Sequence, residues 1–200
     1  MSLPSWVDLA REVTDVSDRD VKPADFVRES VAQLAAIGVF DAPAVEAVAH
    51  CATECSWGRR AVGDNRGGVK LKEADDRAHR AKHGRGLAWW RYAGHVEAGD
   101  APVVLYRAFD GPAEFWRFWA KRYAPMSAPH GDRYAAAGAA FWGPEPSRWI
   151  VELILAGYRG EVREGELRAL VAAGGDVEAH PSVAAHRSVA RRVRALLGSR

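Results

Sequence analysis

Cysteine is scarce in this sequence, long apolar runs are missing, and net charge is almost nil. Each shortage removes a class of protein. Only two cysteines occur in 200 residues, Cys51 and Cys55. One helical turn apart, they point along the same face, where a disulfide would be strained, so both read as small buried residues. His50 lies beside them, but no second ligand cluster follows downstream, so neither a metal nor a cofactor is expected. No stretch reaches the roughly 18 apolar residues of a membrane-spanning helix, and no membrane span is expected. The first residues, MSLPSWVDLAREVTDVSDRD, lack the basic start and apolar core of a secretory leader. Synthesis in the cytoplasm is therefore expected, with any target beyond the membrane reached by non-standard delivery or by lysis. A net charge of +2 with both signs interspersed excludes a strongly basic nucleic-acid binder, and no nucleic-acid partner is expected.

What is present suits one domain. The apolar share of 48% fills a core of ordinary size, and eight tryptophans are available for packing or for platforms under flat, sugar-like ligands. After a polar arm over residues 1–20, Phe26, Val27, Val31 and Leu34 recur at helical spacing from Pro23, and Gly38 ends that run. A second helix is predicted over about Pro43–Ser56, stopped by Gly58. Residues 58–88 lack sustained periodicity and read as a long loop. Aromatic and β-branched clusters within 89–109, broken by Ala98-Gly99-Asp100-Ala101-Pro102, read as a short hairpin. Pro112 opens a helix whose Phe115, Trp116, Trp119 and Tyr123 form an aromatic face best read as core. Further helices are predicted over 132–141, from Ser147 as an N-cap to Gly157, and over 164–173 and 181–197. The sum is a mainly α (α+β) chain: arm 1–20, main domain 21–160, and a helical extension over 161–200 packed on it, with a hairpin lobe beside a cleft.

Glu54 is the residue whose placement needs explaining. It falls near a helix C-terminus, where the helix dipole disfavours negative charge, and its neighbours Ala52, Cys55 and Trp57 can desolvate it. Both effects favour the protonated carboxyl. A protonated carboxylic acid in a cleft is the group that general acid catalysis on a glycosidic oxygen requires.

The run TECSWGRRAVGDNRGGVK, residues 53–70, resembles the E-S-x-W-G…N-N-L-F-G-I-K stretch of glucosaminidase-type peptidoglycan hydrolases. This is glycoside hydrolase family 73, which includes flagellar glucosaminidases, autolysins and phage lysins. LYRAFDGPAEFWRFWAKRYAP is similar to the family's F-R-x-Y segment with its following helix and R-Y, and WIVELILAGYRGE to its helix ending in A-G-Y. The likeness runs from about Phe26 to Gly160. It implies a lysozyme-like helical domain with a small β-hairpin lobe over the active-site cleft. It also implies cleavage of the β-1,4 bond after N-acetylglucosamine in peptidoglycan glycan strands, with no cofactor. On this resemblance Glu54 matches the general acid, Glu97 the second carboxylate with Asp100 as the substitute, and Tyr158 the cleft tyrosine. Asn65 and Lys70, in the matched loop, are expected to shape the site and bind substrate. Trp57, Trp89 and Trp90 are candidates for contact with sugar, Trp57 also reading as packing behind the acid. Gly67 stands where the family has phenylalanine.

Two alternatives accompany this reading. A muramidase, lytic transglycosylase or chitinase would need the same acid in the same cleft. A catalytically degenerate relative would serve as a glycan-binding or structural part docked to a phage-tail, injection or export apparatus. The arginines of the last predicted helix, Arg191, Arg192 and Arg194, read as a solvated face.

Overall fold

A computed structural model of the chain describes residues 15–16, 20–61, 64–92, 105–127 and 132–199. Among these residues the fold is mainly helical, with one small sheet. The apolar stripe of Phe26, Val27 and Leu34 buries one face of α1 (Pro23–Ala35), and Gly38, at φ 83°, turns the chain into the next helix. α2 (Asp41–Glu54) is buried without interruption from Ala44 to Ala52. A helix covered on all sides in this way forms the axis of the domain rather than one of its faces.

Residues 73–83, expected as loop, form α3 (Glu73–His83). This helix has almost no apolar stripe to betray it. Charge order holds it instead. Glu73, Asp75 and Asp76 occupy the first turn and Arg80, Lys82 and His83 the last, which complements the helix dipole. Arg77–Glu73 and Arg80–Asp76 pair at i,i+4 spacing. Gly84 closes the helix in the left-handed conformation at φ 68°.

The sheet follows. β1 (Asp15–Val16) lies parallel to β2 (Trp89–Tyr92), which pairs antiparallel with β3 (Leu105–Arg107) in the register Trp89↔Arg107, Trp90↔Tyr106. On its other edge β3 meets residues 69–71: the Arg107 N–H donates to the Val69 carbonyl at 2.9 Å and the Leu71 N–H to the Leu105 carbonyl at 2.8 Å. The hairpin expected within 89–109 is thus present in its two arms, and the loop after Gly68 adds an edge to it.

α4 (Pro112–Tyr123) turns Phe115, Trp116 and Trp119 fully inward. α5 (Ala135–Trp142) and α6 (Trp149–Leu155) complete that side. Ser147, expected as a helix cap, sits inside a 3-10 turn over 146–148 instead. Pro146 fixes the first φ of that turn, and the Arg148 N–H closes it on the Glu145 carbonyl at 2.9 Å. α7 (Glu161–Ala172) and α8 (Pro181–Gly198) follow. Trp116 donates its indole N–H to the Gln33 side chain, Trp142 to the Ala124 carbonyl and Trp149 to the Tyr123 carbonyl. The cysteines are free and buried.

α8 packs directly on α2, and its Val183, Ala190 and Val193 join the same core. Between the two helices lies Glu46, with 0% exposure. It accepts from His186 Nε2 at 2.7 Å and from Arg194 Nη2 at 3.2 Å, with Arg187 Nη1 at 3.7 Å. A carboxylate so deeply buried is sustained only by partners of this kind. Among the described residues no helix is long and apolar enough to cross a membrane.

Candidate active site

The site forms where α2 stops. The last regular helical bond runs from the Cys55 N–H to the Cys51 carbonyl at 2.9 Å. Ser56, Trp57 and Gly58 then adopt positive φ in succession, at 49°, 59° and 87°. Left-handed backbone is ordinary for glycine but costs about 1 kcal/mol or more at the other two. The turn is locked by the Trp57 N–H on the Ala52 carbonyl, the Arg60 N–H on the Cys55 carbonyl and the Gly58 N–H on Cys55 Sγ. A Cβ at Gly58 would come within 2.7 Å of the Phe26 ring. This turn fixes where Glu54, the final residue of α2, leaves the helix.

The Glu54 side chain is 23% exposed. One helical turn earlier His50 is buried, and its two ring nitrogens meet two different partners. Trp119 Nε1 donates to Nδ1 at 2.9 Å, and Nε2 lies 2.7 Å from Tyr158 Oη. An indole nitrogen can only donate. Nδ1 is therefore the acceptor, Nε2 carries the proton, and His50 donates to the phenol oxygen. The phenol proton is left for Glu54, to which Tyr158 is also hydrogen-bonded. A directed chain results: Trp119 to His50 to Tyr158 to Glu54. His50 Nε2 itself stands 4.0 Å from Glu54 Oε1.

The titration of these groups follows from their burial. Desolvation, helped by His186 and Arg159, holds His50 well below the usual imidazole value, so the ring is neutral. Desolvation and the nearby Glu54 push the Tyr158 phenol well above its ordinary value. Tyr123, packed edge-on to Tyr158 with ring centroids 5.4 Å apart, is raised by burial to about 12. Tyr158 reaches the site because α6 ends in a tight turn: Gly157 takes φ 78°, and the Tyr158 N–H returns to the Leu153 carbonyl at 3.2 Å.

The next residue is one that the sequence reading did not single out. Arg159 Nη2 lies 3.2 Å from Glu54 Oε1, with a third of the arginine side chain exposed. The AGYRG segment carried that information, since the arginine follows the matched tyrosine directly. His50 was weighed only as a metal ligand; its place at the centre of the chain depends on α4 and α6, which no local pattern links to α2.

The other expected site residues gather on the lobe. Asn65 is buried and acts as a staple: Nδ2 donates to the Val69 and Arg107 carbonyls at 2.9 and 2.8 Å, and Oδ1 accepts from the Val69 N–H at 2.9 Å. Lys70 and Trp90 both stand opposite Tyr106, on either side of β3, and Trp89 is buried opposite Arg107. The root of the lobe touches the acid's own backbone, since a Cβ on Gly68 would lie 3.7 Å from the Glu54 carbonyl oxygen. Gly67 is buried with the Phe115 ring 3.2 Å from where its Cβ would be. An aromatic from α4 therefore fills the space beside that position. Trp57 is set apart, half-buried with the Arg192 guanidinium 4.7 Å above its ring. Glu97 and Asp100 lie outside the described residues.

The structure thus joins Glu54 to Tyr158, and joins Asn65, Lys70, Trp89 and Trp90 to one another around β3. Comparison with known protein families, with curated proteins and with solved structures finds no match to this chain.

Proposed function

We propose that the chain is a peptidoglycan hydrolase, an endo-β-N-acetylglucosaminidase on a lysozyme-like fold, with Glu54 as general acid. One observation carries this reading: a half-buried glutamate ends a fully buried helix, is held by the neutral Tyr158, and stands at the root of a β lobe. The phenol holds this carboxyl without a charge of its own, whereas Arg159 sets a guanidinium 3.2 Å from Oε1. A free guanidinium beside a carboxylate favours the ionised form. In this reading the glycan takes the place of the partly exposed Arg159 arm, and Glu54, without that counter-charge, takes a proton from solvent. The leaving oxygen is then protonated as the ring approaches an oxocarbenium-like state. Glu97, or Asp100 in its stead, activates water from the opposite side, or the substrate's own N-acetyl group assists and that carboxylate stabilises charge.

The test is Glu54→Gln, which keeps the shape and removes the acid. The native protein should clear a cell-wall suspension and leave reducing N-acetylglucosamine ends on the glycan. The variant should fold and leave the suspension turbid. Clearing by the variant would remove Glu54 from the mechanism, and anhydromuramic ends would reassign the reaction to a lytic transglycosylase.

The Glu54–Arg159 pair at 3.2 Å also favours a second reading, in which the acid is permanently paired and the chain is a glycan-binding part of a phage-tail, injection or export apparatus. Binding of glycan strands without any turnover by the native protein would select it.

A further inference from the structure

A hollow lies away from Glu54, between α3 and α4, with a volume of about 470 Å³. That is within the range of small-ligand sites. Its floor is apolar, made of Leu87 and Phe118, and its walls are cationic: Lys82 from α3, Arg107 from β3, and Lys121 and Arg122 from α4. Among the described residues Asp75 is the one carboxylate that lines it. The other acids of α3 are engaged elsewhere, Glu73 with Arg77 and Asp76 with Arg80 and the Leu87 N–H.

The two arginines are held in an unusual way. The Arg107 guanidinium lies 4.6 Å from the centre of the Phe118 ring and that of Arg122 lies 5.8 Å from it. Arg107 spends Nη2 on Glu114 at 3.1 Å, whereas no carboxylate among the described residues pairs with Arg122. In both, Nε is buried and has no acceptor among the described residues. A guanidinium held over an aromatic ring gives up part of its hydration and keeps N–H groups for a planar or tetrahedral oxyanion. A buried donor without an acceptor calls for a partner.

The histidines of α3 agree with this. His79 Nδ1 lies 2.8 Å from the Arg85 carbonyl, so Nδ1 carries the proton, and the ring sits 4.5 Å from that of His83. His83 is held below its usual value by local desolvation and then by repulsion from His79, Lys82 and Arg85. An ordinary solvated basic face would have neither the hollow nor the ring-bound guanidiniums.

We propose that this hollow binds a phosphate- or carboxylate-type oxyanion carried on a body with an apolar or sugar face. The site stands independently of the hydrolase reading. Its natural source rests on that reading, under which the oxyanion is borne by the glycan, as a stem-peptide carboxylate or as the phosphodiester of an attached wall polymer. Arg122, in the wall of the hollow, packs on Tyr123 at 5.6 Å, and Tyr123 packs on Tyr158.

The experiment titrates the full chain with inorganic pyrophosphate, and separately with a disaccharide-tetrapeptide fragment of peptidoglycan, following the histidine ring protons by NMR. Saturable shifts are expected at His79 and His83 with either probe, with His50 and His186 unmoved by pyrophosphate. Affinity should fall roughly tenfold or more in Arg122→Gln and in the double variant Lys82→Gln/Lys121→Gln, whose exposed lysines bear on no core contact. Response to pyrophosphate alone identifies a phosphate source, and response to the fragment alone a stem carboxylate. Absence of saturation with both probes, or unchanged affinity in the lysine variant, overturns the proposal. Glu54→Gln should bind pyrophosphate like the native chain whether or not the protein lyses cell walls, which keeps this test separate from that of the hydrolase.

Discussion

His50 Nε2 and Tyr158 Oη lie 2.7 Å apart, although the residues are 108 positions apart in the chain. The bond has a fixed direction because Trp119 donates to the opposite nitrogen. Replacing His50 with leucine strands two buried groups at once, the Trp119 indole N–H that donates to it and the Tyr158 phenol oxygen that accepts from it. Each should cost about 1–3 kcal/mol, measured as a lowered urea midpoint with unchanged slope. The same variant should lose lytic activity beyond its loss of stability, because the phenol is no longer turned toward Glu54. Equal activity per folded molecule would show that the chain of hydrogen bonds only packs the core.

Stability should fall at both ends of the pH scale, with opposite signs. His50 is depressed in the folded state below its ordinary 6.5. The unfolded chain therefore binds more protons in that region, and stability drops as pH falls below about 6.5. Tyr123 is raised from 10.0 to about 12. Its contribution is intact below pH 10 and is lost as pH rises from there toward 12. Thermal unfolding across pH should show both limbs, and His50→Leu should flatten the acidic one.

Arg159→Gln removes the cation at Glu54 Oε1. The side chain is a third exposed, so the fold should tolerate the change, with a shift in unfolding free energy under about 1 kcal/mol. Under the hydrolase reading, the upper pH limit of activity should move upward, because the ionised carboxylate loses its partner. A pH–rate profile identical to that of the native protein would show that Arg159 takes no part.

Glu46→Ala should be among the most damaging changes outside the site. The carboxylate is completely buried with His186 and Arg194 against it. Removing one partner of such a group leaves the others buried and uncompensated, at a cost of about 3–5 kcal/mol. Denaturant unfolding measures it directly, and a loss below 1 kcal/mol would mean that water reaches the pocket.

How much of this was legible in the sequence differs from element to element, for physical reasons. The aromatic face of Phe115, Trp116 and Trp119 declared itself through helical spacing, and all three are fully buried. α3 did not, because ion pairs and dipole order stabilise it and hydrophobic periodicity does not register them. Glu54 stood out as a carboxylate in a poor electrostatic position at a helix end. What answers that position, Arg159 from beyond α6 and Tyr158 backed by His50, comes from tertiary neighbours that a one-dimensional pattern cannot rank. Asn65 was expected to touch substrate; the structure uses all three of its polar contacts to hold the lobe together.

The packing of α8 on α2 has a consequence for biosynthesis. The helix that carries Glu54 is covered on one flank by residues 181–198, and its buried carboxylate at position 46 finds its counter-charges only there. Until that segment has left the ribosome, α2 has neither its lid nor its neutralising partners. The nascent chain should therefore stay protease-sensitive around α2 until residues 181–198 have emerged, and only then acquire a formed site.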